Sequence, residues 1–187
     1  MMKREKKSLL FHFGNVCIAL AVFGLLYTFF PLFSLYVFPH NAVLPKGTVT
    51  SLSIPKIQAV APIIENVNPW NEQTYQKALQ KGVAHASHSS SPETNGTVYL
   101  FAHSSGMPWE LTRYNTVFLR LGELRPGDVV TLSWHGKTYR YEVYDKKTID
   151  PHNVSYLMSK KENELILQTC TPIGTDLKRL LVFAKKI

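Results

Sequence analysis

The sequence predicts a mainly β domain, a barrel of about eight strands with short helices, behind one N-terminal transmembrane helix. Two observations predict this arrangement: a long charge-free apolar run near the N-terminus, and a series of short β-type runs separated by turn residues after it. The chain has 187 residues, 45% of them apolar, which is enough for one core and an appendage. This composition excludes a disordered chain and two full domains.

The N-terminal segment has the length and composition of a membrane span. The 38 residues from Ser8 to Pro45 carry no formal charge, and Leu9 to Phe38 are mostly apolar. A span needs roughly 20 such residues, and the few polar residues do not gather on one face as in a buried amphipathic helix. We therefore expect a cytoplasmic tail over residues 1–8, a transmembrane signal-anchor over 9–38, a linker over 39–48 and an extracytoplasmic domain over 49–187.

The charges before the span predict its orientation. Four basic residues precede it: Lys3, Arg4, Lys6 and Lys7. By the positive-inside rule the N-terminus lies in the cytoplasm and the rest of the chain outside. The alternative is a signal peptide cleaved after Ala19 and Ala21, which have A-x-A spacing. The apolar run continues to Phe38, however, and cleavage would leave a large exposed apolar stretch, so the sequence favours an uncleaved anchor in the cell membrane.

The exterior part is only moderately basic. The chain has a formal net charge of +8; without the four basic and one acidic residues of the tail, 17 basic and 12 acidic residues remain, a net charge of +5. No aromatic-basic stripe or RNA-binding motif accompanies this charge, so nucleic acid is not an expected partner. Anionic lipid headgroups or wall polymers are sufficient to explain it.

The first half of the exterior part contains two β-type runs and one helix. Gly47 to Ile54 and Ala59 to Ile64 are short β-type runs broken by prolines. The spacing of Tyr75 and Leu79, at i and i+4, predicts a helix over Trp70 to Gln80. We interpret Trp70 as packing at the start of that helix.

The remaining strands follow at short intervals. Thr97 to Ala102 is an apolar run too short for a helix, and it predicts a buried strand with His103 at its end. His135-Gly136 is a hairpin signal between two further strands. The other predicted strands are Val129 to Trp134, Tyr139 to Tyr144, Leu165 to Thr169 and Leu180 to Ala184, with a long loop from Lys146 to Asn163.

Cys170 is the one exterior cysteine. Cys17 lies inside the predicted span, so the two thiols cannot form a disulfide. A lone exterior thiol is explained by intermolecular pairing, by chance burial or by a role as nucleophile. Arg179 begins the next apolar run, and two adjacent strands would bring its guanidinium within reach of a substrate held at the thiol, where it could stabilise an oxyanion.

A thiol nucleophile needs a base, and six exterior histidines are available. These are His40, His85, His88, His103, His135 and His152. His103 is the candidate because it ends a buried strand. A zinc site formed by His85, His88, His103 and Cys170 is the alternative, but pairs of the Cys-x-x-Cys type, which mark strong zinc sites, are absent from the sequence. We expect no metal.

Six short segments of the exterior domain carry a recognisable pattern: Ile54-Pro-Lys-Ile57, Gly82-Val-Ala-His85, Val98-Tyr-Leu-Phe-Ala-His103, Leu121-Gly-Glu-Leu-Arg-Pro-Gly-Asp128, Leu167-Gln-Thr-Cys-Thr-Pro172 and Arg179-Leu-Leu-Val182. In this order, behind an N-terminal anchor, they resemble the sortase family of membrane-anchored cysteine transpeptidases. The resemblance covers nearly the whole exterior domain. Ile166 and Phe101-Ala102 depart from the usual motifs, which leaves the subclass open.

The resemblance implies a site and a fold. It makes Cys170 the nucleophile, His103 the catalytic histidine and Arg179 the residue that supports the substrate and the oxyanion. Thr169 and Thr171, on either side of the nucleophile, are expected to contact substrate, with Thr169 shaping the oxyanion hole. The implied fold is an eight-stranded β-barrel, in agreement with the strand count.

The resemblance also implies a reaction. A sorting signal similar to Leu-Pro-x-Thr-Gly, at the C-terminus of a secreted or surface protein, is cleaved through a thioester on Cys170. The acyl group then passes to an amine of a wall-precursor peptide or of a pilin lysine. No cofactor is expected, because the predicted loop from Lys146 to Asn163 is too basic for a calcium site. Two alternatives remain: a cysteine peptidase or wall hydrolase with water as acceptor, and a non-enzymatic β domain with an inert thiol.

Overall fold

The computed structural model describes residues 2–37, 44–104 and 114–187, which divide into two compact units, Met1–His40 and Asn41–Ile187. The first unit contains one helix, α1, Met2–Val37. Within it Phe11–Phe30 has a mean hydropathy of 2.0 over 20 residues, long and apolar enough to cross a membrane. Such a helix is about 30 Å long, close to the thickness of a bilayer's hydrocarbon core. The N-terminal apolar helix is therefore present as predicted, as a candidate span.

The second unit is a closed eight-stranded barrel, which confirms the predicted fold class. Its strands follow one another around the barrel in the order β1-β2-β3-β4-β7-β8-β6-β5, with β5 hydrogen-bonded back to β1. The pairs β2–β3 and β4–β7 are parallel, and the others are antiparallel. The elements are β1 Ser51–Ile54, β2 Ala59–Val67, α2 Glu72–Leu79, β3 Val83–Ala86, β4 Thr97–Phe101, β5 Val129–Trp134, β6 Lys137–Ile149, β7 Glu164–Thr171 and β8 Lys178–Lys186.

The barrel encloses a single apolar core. Side chains from every strand contribute to it, and many of the largest are fully buried, among them Leu52, Leu100, Leu132, Leu165 and Leu167. Strands β4 and β7 are buried almost throughout, as expected for neighbouring strands in the middle of a sheet. These two strands end at the site described below.

Most predicted strands are confirmed, and two differences have physical causes. Strand β3 is absent from the predictions because all four of its residues are buried, so it shows no alternation of polar and apolar side chains. Strand β6 continues to Ile149, which corrects the predicted loop from Lys146: the connection is residues 150–163. The His135-Gly136 hairpin is confirmed, with φ of 49° and 81° at its two residues. His40 lies outside the described residues.

Candidate active site

Cys170 lies in the middle of a row formed by β8, β7 and the residues that follow β4. In the antiparallel pair β7–β8 its register partner is Arg179. In the parallel pair β4–β7, Phe101 is the partner of Gln168, so the same register continued by two residues places His103 beside Cys170. Neighbouring strands are about 4.8 Å apart. The thiol therefore has the histidine on one side and the arginine on the other, which we call the cross-strand row.

Two hydrogen bonds hold the ends of β4 and β7 together. Ala102 N donates to Gln168 O at 3.1 Å, which continues the ladder past the end of β4. The hydroxyl of Thr169, a residue only 3% exposed, donates to Ala102 O at 2.9 Å. The two bonds thus join Gln168 and Thr169, the two residues before Cys170, to Ala102, the residue before His103. In the structure, Thr169 thus fixes the distance between Cys170 and His103 in the row. Its predicted contact with substrate stays a prediction.

The row opens into a cleft of about 650 Å³. The cleft is lined by α2 and the loop before it, by the ends of β4 and β7, and by the β6–β7 and β7–β8 connections. Four predicted site residues line it together: His103, Thr169, Cys170 and Arg179. Thr171 does not belong to the described lining. It is half-buried and is the register partner of Lys178.

The surroundings of Cys170 act on its thiol in opposite directions. Burial raises the pKa of Cys170 above the usual value of a thiol, and the carboxylate of Asp176 adds to this effect. The guanidinium of Arg179 lowers the pKa. Arg179 itself is held by its own turn, where Nη1 donates to Asp176 O at 2.8 Å. Because burial dominates, most of the thiol is protonated near neutral pH, and a nearby base is needed to generate the nucleophilic thiolate.

His103 is half-buried and has a partner on helix α2. Its Nε2 lies 3.1 Å from Oε1 of Gln76. Its backbone oxygen accepts a hydrogen bond from Phe118 N at 3.3 Å. The ring is therefore held from the helix side of the cleft, and its main chain is held from the segment that precedes β5.

Helix α2 contributes side chains that the sequence did not single out as functional. Gln76 and Tyr75 both line the cleft, and the ring of Tyr75 packs edge-on against Phe101 with centroids 6.2 Å apart. The periodicity predicted the helix, but no pattern indicated which of its faces would meet the thiol. Trp70 also lines the cleft and is 59% exposed, so our interpretation of it as packing at the helix start is wrong.

His85 lies away from the row, packed edge-on against Trp134 with ring centroids 5.1 Å apart. Its Nε2 contacts Ser90 O at 3.1 Å and Ser89 Oγ at 2.9 Å, while its buried Nδ1 has no hydrogen-bond partner among the described residues. Burial lowers the pKa of His85. In residues 2–37, 44–104 and 114–187, no three His, Cys, Asp or Glu side chains gather as a metal site.

Comparison with known proteins gives consistent results. Residues 52–187 match the family model described as the sortase domain. The chain is 34% identical over 140 residues to Sortase D of Bacillus subtilis (strain 168), covering 73% of this chain and 62% of that protein. The chain thus matches less than two thirds of that relative's length.

Solved structures agree with the sequence match. Sortase A from Corynebacterium diphtheriae is 26% identical with a TM-score of 0.62, and the match covers 76% of this chain and 62% of that one. The pilus-related Sortase C of Group B Streptococcus is 28% identical with a TM-score of 0.63, covering 76% and 69%. The match to the family model spans most of this chain, including the cross-strand row, and we conclude that the chain belongs to the sortase family.

Proposed function

We propose that this chain is a membrane-anchored cysteine transpeptidase in which Cys170 is the nucleophile, His103 the acid and base, and Arg179 the group that binds the developing oxyanion. The observation that carries the proposal is the cross-strand row, which presents a thiol, an imidazole and a guanidinium to one cleft. These are the groups that acyl transfer through a covalent intermediate requires.

The reaction proceeds in two balanced steps. Sγ of Cys170 gives its proton to His103 and attacks a peptide carbonyl, and the negative oxygen that forms faces Arg179. The C–N bond then breaks, the departing amine takes the proton from His103, and a thioester remains on Cys170. In the second step an acceptor amine attacks the thioester, loses a proton to His103 and releases the thiol. Thr169 and Thr171 flank the nucleophile and contact the substrate backbone in this scheme.

The proposed donor is a secreted or surface protein that ends in a sorting signal similar to Leu-Pro-x-Thr-Gly. The proposed acceptor is an amine of a wall-precursor peptide or of a pilin lysine. Similarity to Sortase D of Bacillus subtilis and to the pilus-related Sortase C of Group B Streptococcus supports these classes. The cleft, about 650 Å³ and open beside α2, has room for a short extended peptide.

We further propose that α1 anchors the chain in the cell membrane, with residues 1–8 in the cytoplasm, the span within residues 9–38, a linker over 39–48 and the catalytic domain over 49–187 outside. Support comes from the apolar stretch Phe11–Phe30 and from the four basic residues before it. Labelling of intact cells with a membrane-impermeant maleimide tests this topology. Cys170 should be labelled without permeabilisation; labelling only after permeabilisation would place the catalytic domain in the cytoplasm.

The experiment that tests the function uses the full chain in detergent micelles and a peptide library of the Leu-Pro-x-Thr-Gly type. We expect an acyl adduct on Cys170 by mass spectrometry, absent from the Cys170→Ala variant. With an added amine the conjugate should exceed the free acid, whereas a peptidase or hydrolase would give the acid alone. A folded protein that forms no adduct with any peptide contradicts the proposal.

A further inference from the structure

We propose that Gln76 is a positioning residue for His103, holding the orientation and the tautomer of the imidazole through Nε2. The inference rests on one part of the proposed function, the assignment of His103 as the acid and base. It is carried by the 3.1 Å contact between Gln76 Oε1 and His103 Nε2, made from a helix outside the cross-strand row. Gln76 and His103 line the same cleft as Cys170.

The chemistry of the two atoms fixes the tautomer. An amide oxygen only accepts hydrogen bonds, so His103 Nε2 must carry the hydrogen that Gln76 Oε1 receives. In the neutral ring Nδ1 is then the basic nitrogen, and it is the one that exchanges the proton of the reaction. The imidazolium keeps the Nε2–H, so the bond to Gln76 persists through the catalytic cycle.

Helix α2 holds Gln76 rigidly enough for this role. Asn71 caps the helix, and its Oδ1 accepts a hydrogen bond from Thr74 N at 3.0 Å. Ala78, on the opposite side of the helix from Gln76, and Leu79, one turn along from Gln76, are both buried in the barrel core. Tyr75 packs on Phe101, two residues before His103. The helix and the end of β4 are thus joined by a ring contact beside the bond between Gln76 and His103.

A neutral partner differs from a charged one in a testable way. A carboxylate in place of the amide would stabilise the imidazolium and raise the pKa of His103. The Gln76→Glu variant should therefore keep the ring in place but shift the pH profile of the reaction to higher pH. The Gln76→Leu variant has no acceptor, so the hydrogen bond to His103 Nε2 is lost while the charge of the site is unchanged.

The kinetic experiment uses the full chain in detergent micelles and the peptide substrate. We expect Gln76→Leu to lower kcat roughly tenfold with KM changed less than twofold, because only the reacting groups are displaced. Gln76→Glu should recover at least part of the activity and shift the pH profile upward. Gln73→Leu, an exposed position on the same helix, is the matched control and should match the wild type. Unchanged kcat in Gln76→Leu, or an unchanged pH profile in Gln76→Glu, would overturn the proposal.

A second measurement needs no substrate and separates this proposal from the proposed function. Nitrogen-15 NMR of histidine-labelled protein, assigned with His103→Asn, reports the tautomer of His103 directly. We expect a protonated Nε2 in the neutral wild-type ring and a mixture of tautomers in Gln76→Leu. A neutral ring protonated on Nδ1 in the wild type overturns the role of Gln76 even if the enzyme is active. The expected tautomer in a protein that processes no peptide would support Gln76 while the transpeptidase proposal fails.

Discussion

Cys170 and Arg179 are register partners across β7 and β8, so the guanidinium and the thiol start from facing positions on neighbouring strands. The eight residues between them include a tight connection whose backbone is held by the hydrogen bond from Arg179 Nη1 to Asp176 O, 2.8 Å long. Arg179 lowers the pKa of Cys170, and Asp176 raises it. The connection and the start of β8 thus carry two charges with opposite effects on the nucleophile.

The first prediction concerns these two charges. Arg179→Gln should shift the pH profile of Cys170 alkylation to higher pH, because the cation that favours the thiolate is lost. Asp176→Asn should shift it to lower pH, because an anion that disfavours the thiolate is lost. The rate of reaction with iodoacetamide, measured from pH 5 to 10, checks both. Lys178→Gln, an exposed neighbour, is the control and should leave the profile unchanged. Shifts in the same direction for both variants would contradict the assigned roles.

The second prediction concerns the bond between β4 and β7. Thr169→Val removes the buried hydroxyl that donates to Ala102 O, and it should lower the free energy of unfolding by about 1–2 kcal/mol. Thr169→Ser keeps the donor and should lose less. Urea unfolding followed by the fluorescence of Trp134, which is 2% exposed, measures both. A larger loss in Thr169→Ser than in Thr169→Val would show that the methyl group, not the hydroxyl, matters here.

Turn residues and short apolar runs in the sequence were sufficient to predict most of the antiparallel strand pairs of the barrel. The β5–β6 hairpin is defined by His135-Gly136, whose backbone conformation follows from the turn. Cys170 and Arg179 were expected to approach because nine positions separate them and each lies at the edge of an apolar run. Strand β3 was missed because four buried residues in succession carry no period.

The spacing of residues in the sequence does not predict the contacts that the parallel pair β4–β7 brings to the site. His103 comes beside Cys170 only through the β4–β7 pair, which joins residues 67 positions apart in the chain. The end of a buried strand made His103 the candidate base, but a local pattern holds no information on which strand lies beside it. The contact of Gln76 with His103 depends in addition on how α2 packs on the barrel. A helical period predicts which face is apolar, but not which polar residue faces the cleft.

The third prediction concerns the close approach of β2 to the residue before β3. A methyl group at Gly82 would overlap the carbonyl oxygen of Pro62, a backbone atom that cannot move aside cheaply. Gly82→Ala should therefore lower the free energy of unfolding by about 1–3 kcal/mol. Gly122→Ala is the control, because its new methyl would lie 3.6 Å from Leu180 Cδ2, an ordinary contact; it should change stability by less than about 0.5 kcal/mol. Comparable urea midpoints for the two variants would contradict this account.

The fourth prediction concerns the pH dependence of stability. Burial lowers the pKa of His85 in the folded protein below the ordinary value of 6.5, which it regains on unfolding. The unfolded state therefore binds the proton more readily, so the contribution of His85 to stability is present above about pH 6.5 and is lost as the pH falls towards the folded pKa. His85→Gln should flatten the fall in unfolding free energy between pH 7 and pH 5. His88 is exposed, so the His88→Asn variant should keep the wild-type slope of unfolding free energy against pH. If His85→Gln also kept that slope, His85 would be ruled out as its source.

The fifth prediction concerns Glu164, a carboxylate at the start of β7 that is only 3% exposed. It accepts hydrogen bonds from the hydroxyls of Tyr144, Thr97 and Ser159, and its Oε1 lies 3.3 Å from Lys161 Nζ. These bonds tie the end of the β6–β7 connection, whose Val154 and Leu157 line the cleft, to β4 and β6.

Glu164→Ala deletes a buried carboxylate that contacts four other side chains. It should lower the free energy of unfolding by about 2–4 kcal/mol, because the hydroxyls of Tyr144 and Ser159 lose their acceptor while Thr97 still donates to Lys161 O. It should also raise KM for the peptide more than it lowers kcat, since the connection that lines the cleft is loosened while the cross-strand row at the other end of β7 is intact. Urea unfolding and steady-state kinetics measure the two effects. Glu162→Ala, an exposed carboxylate in the same connection, is the matched control and should change neither; equal behaviour of the two variants would show that the buried network does not hold the connection in place.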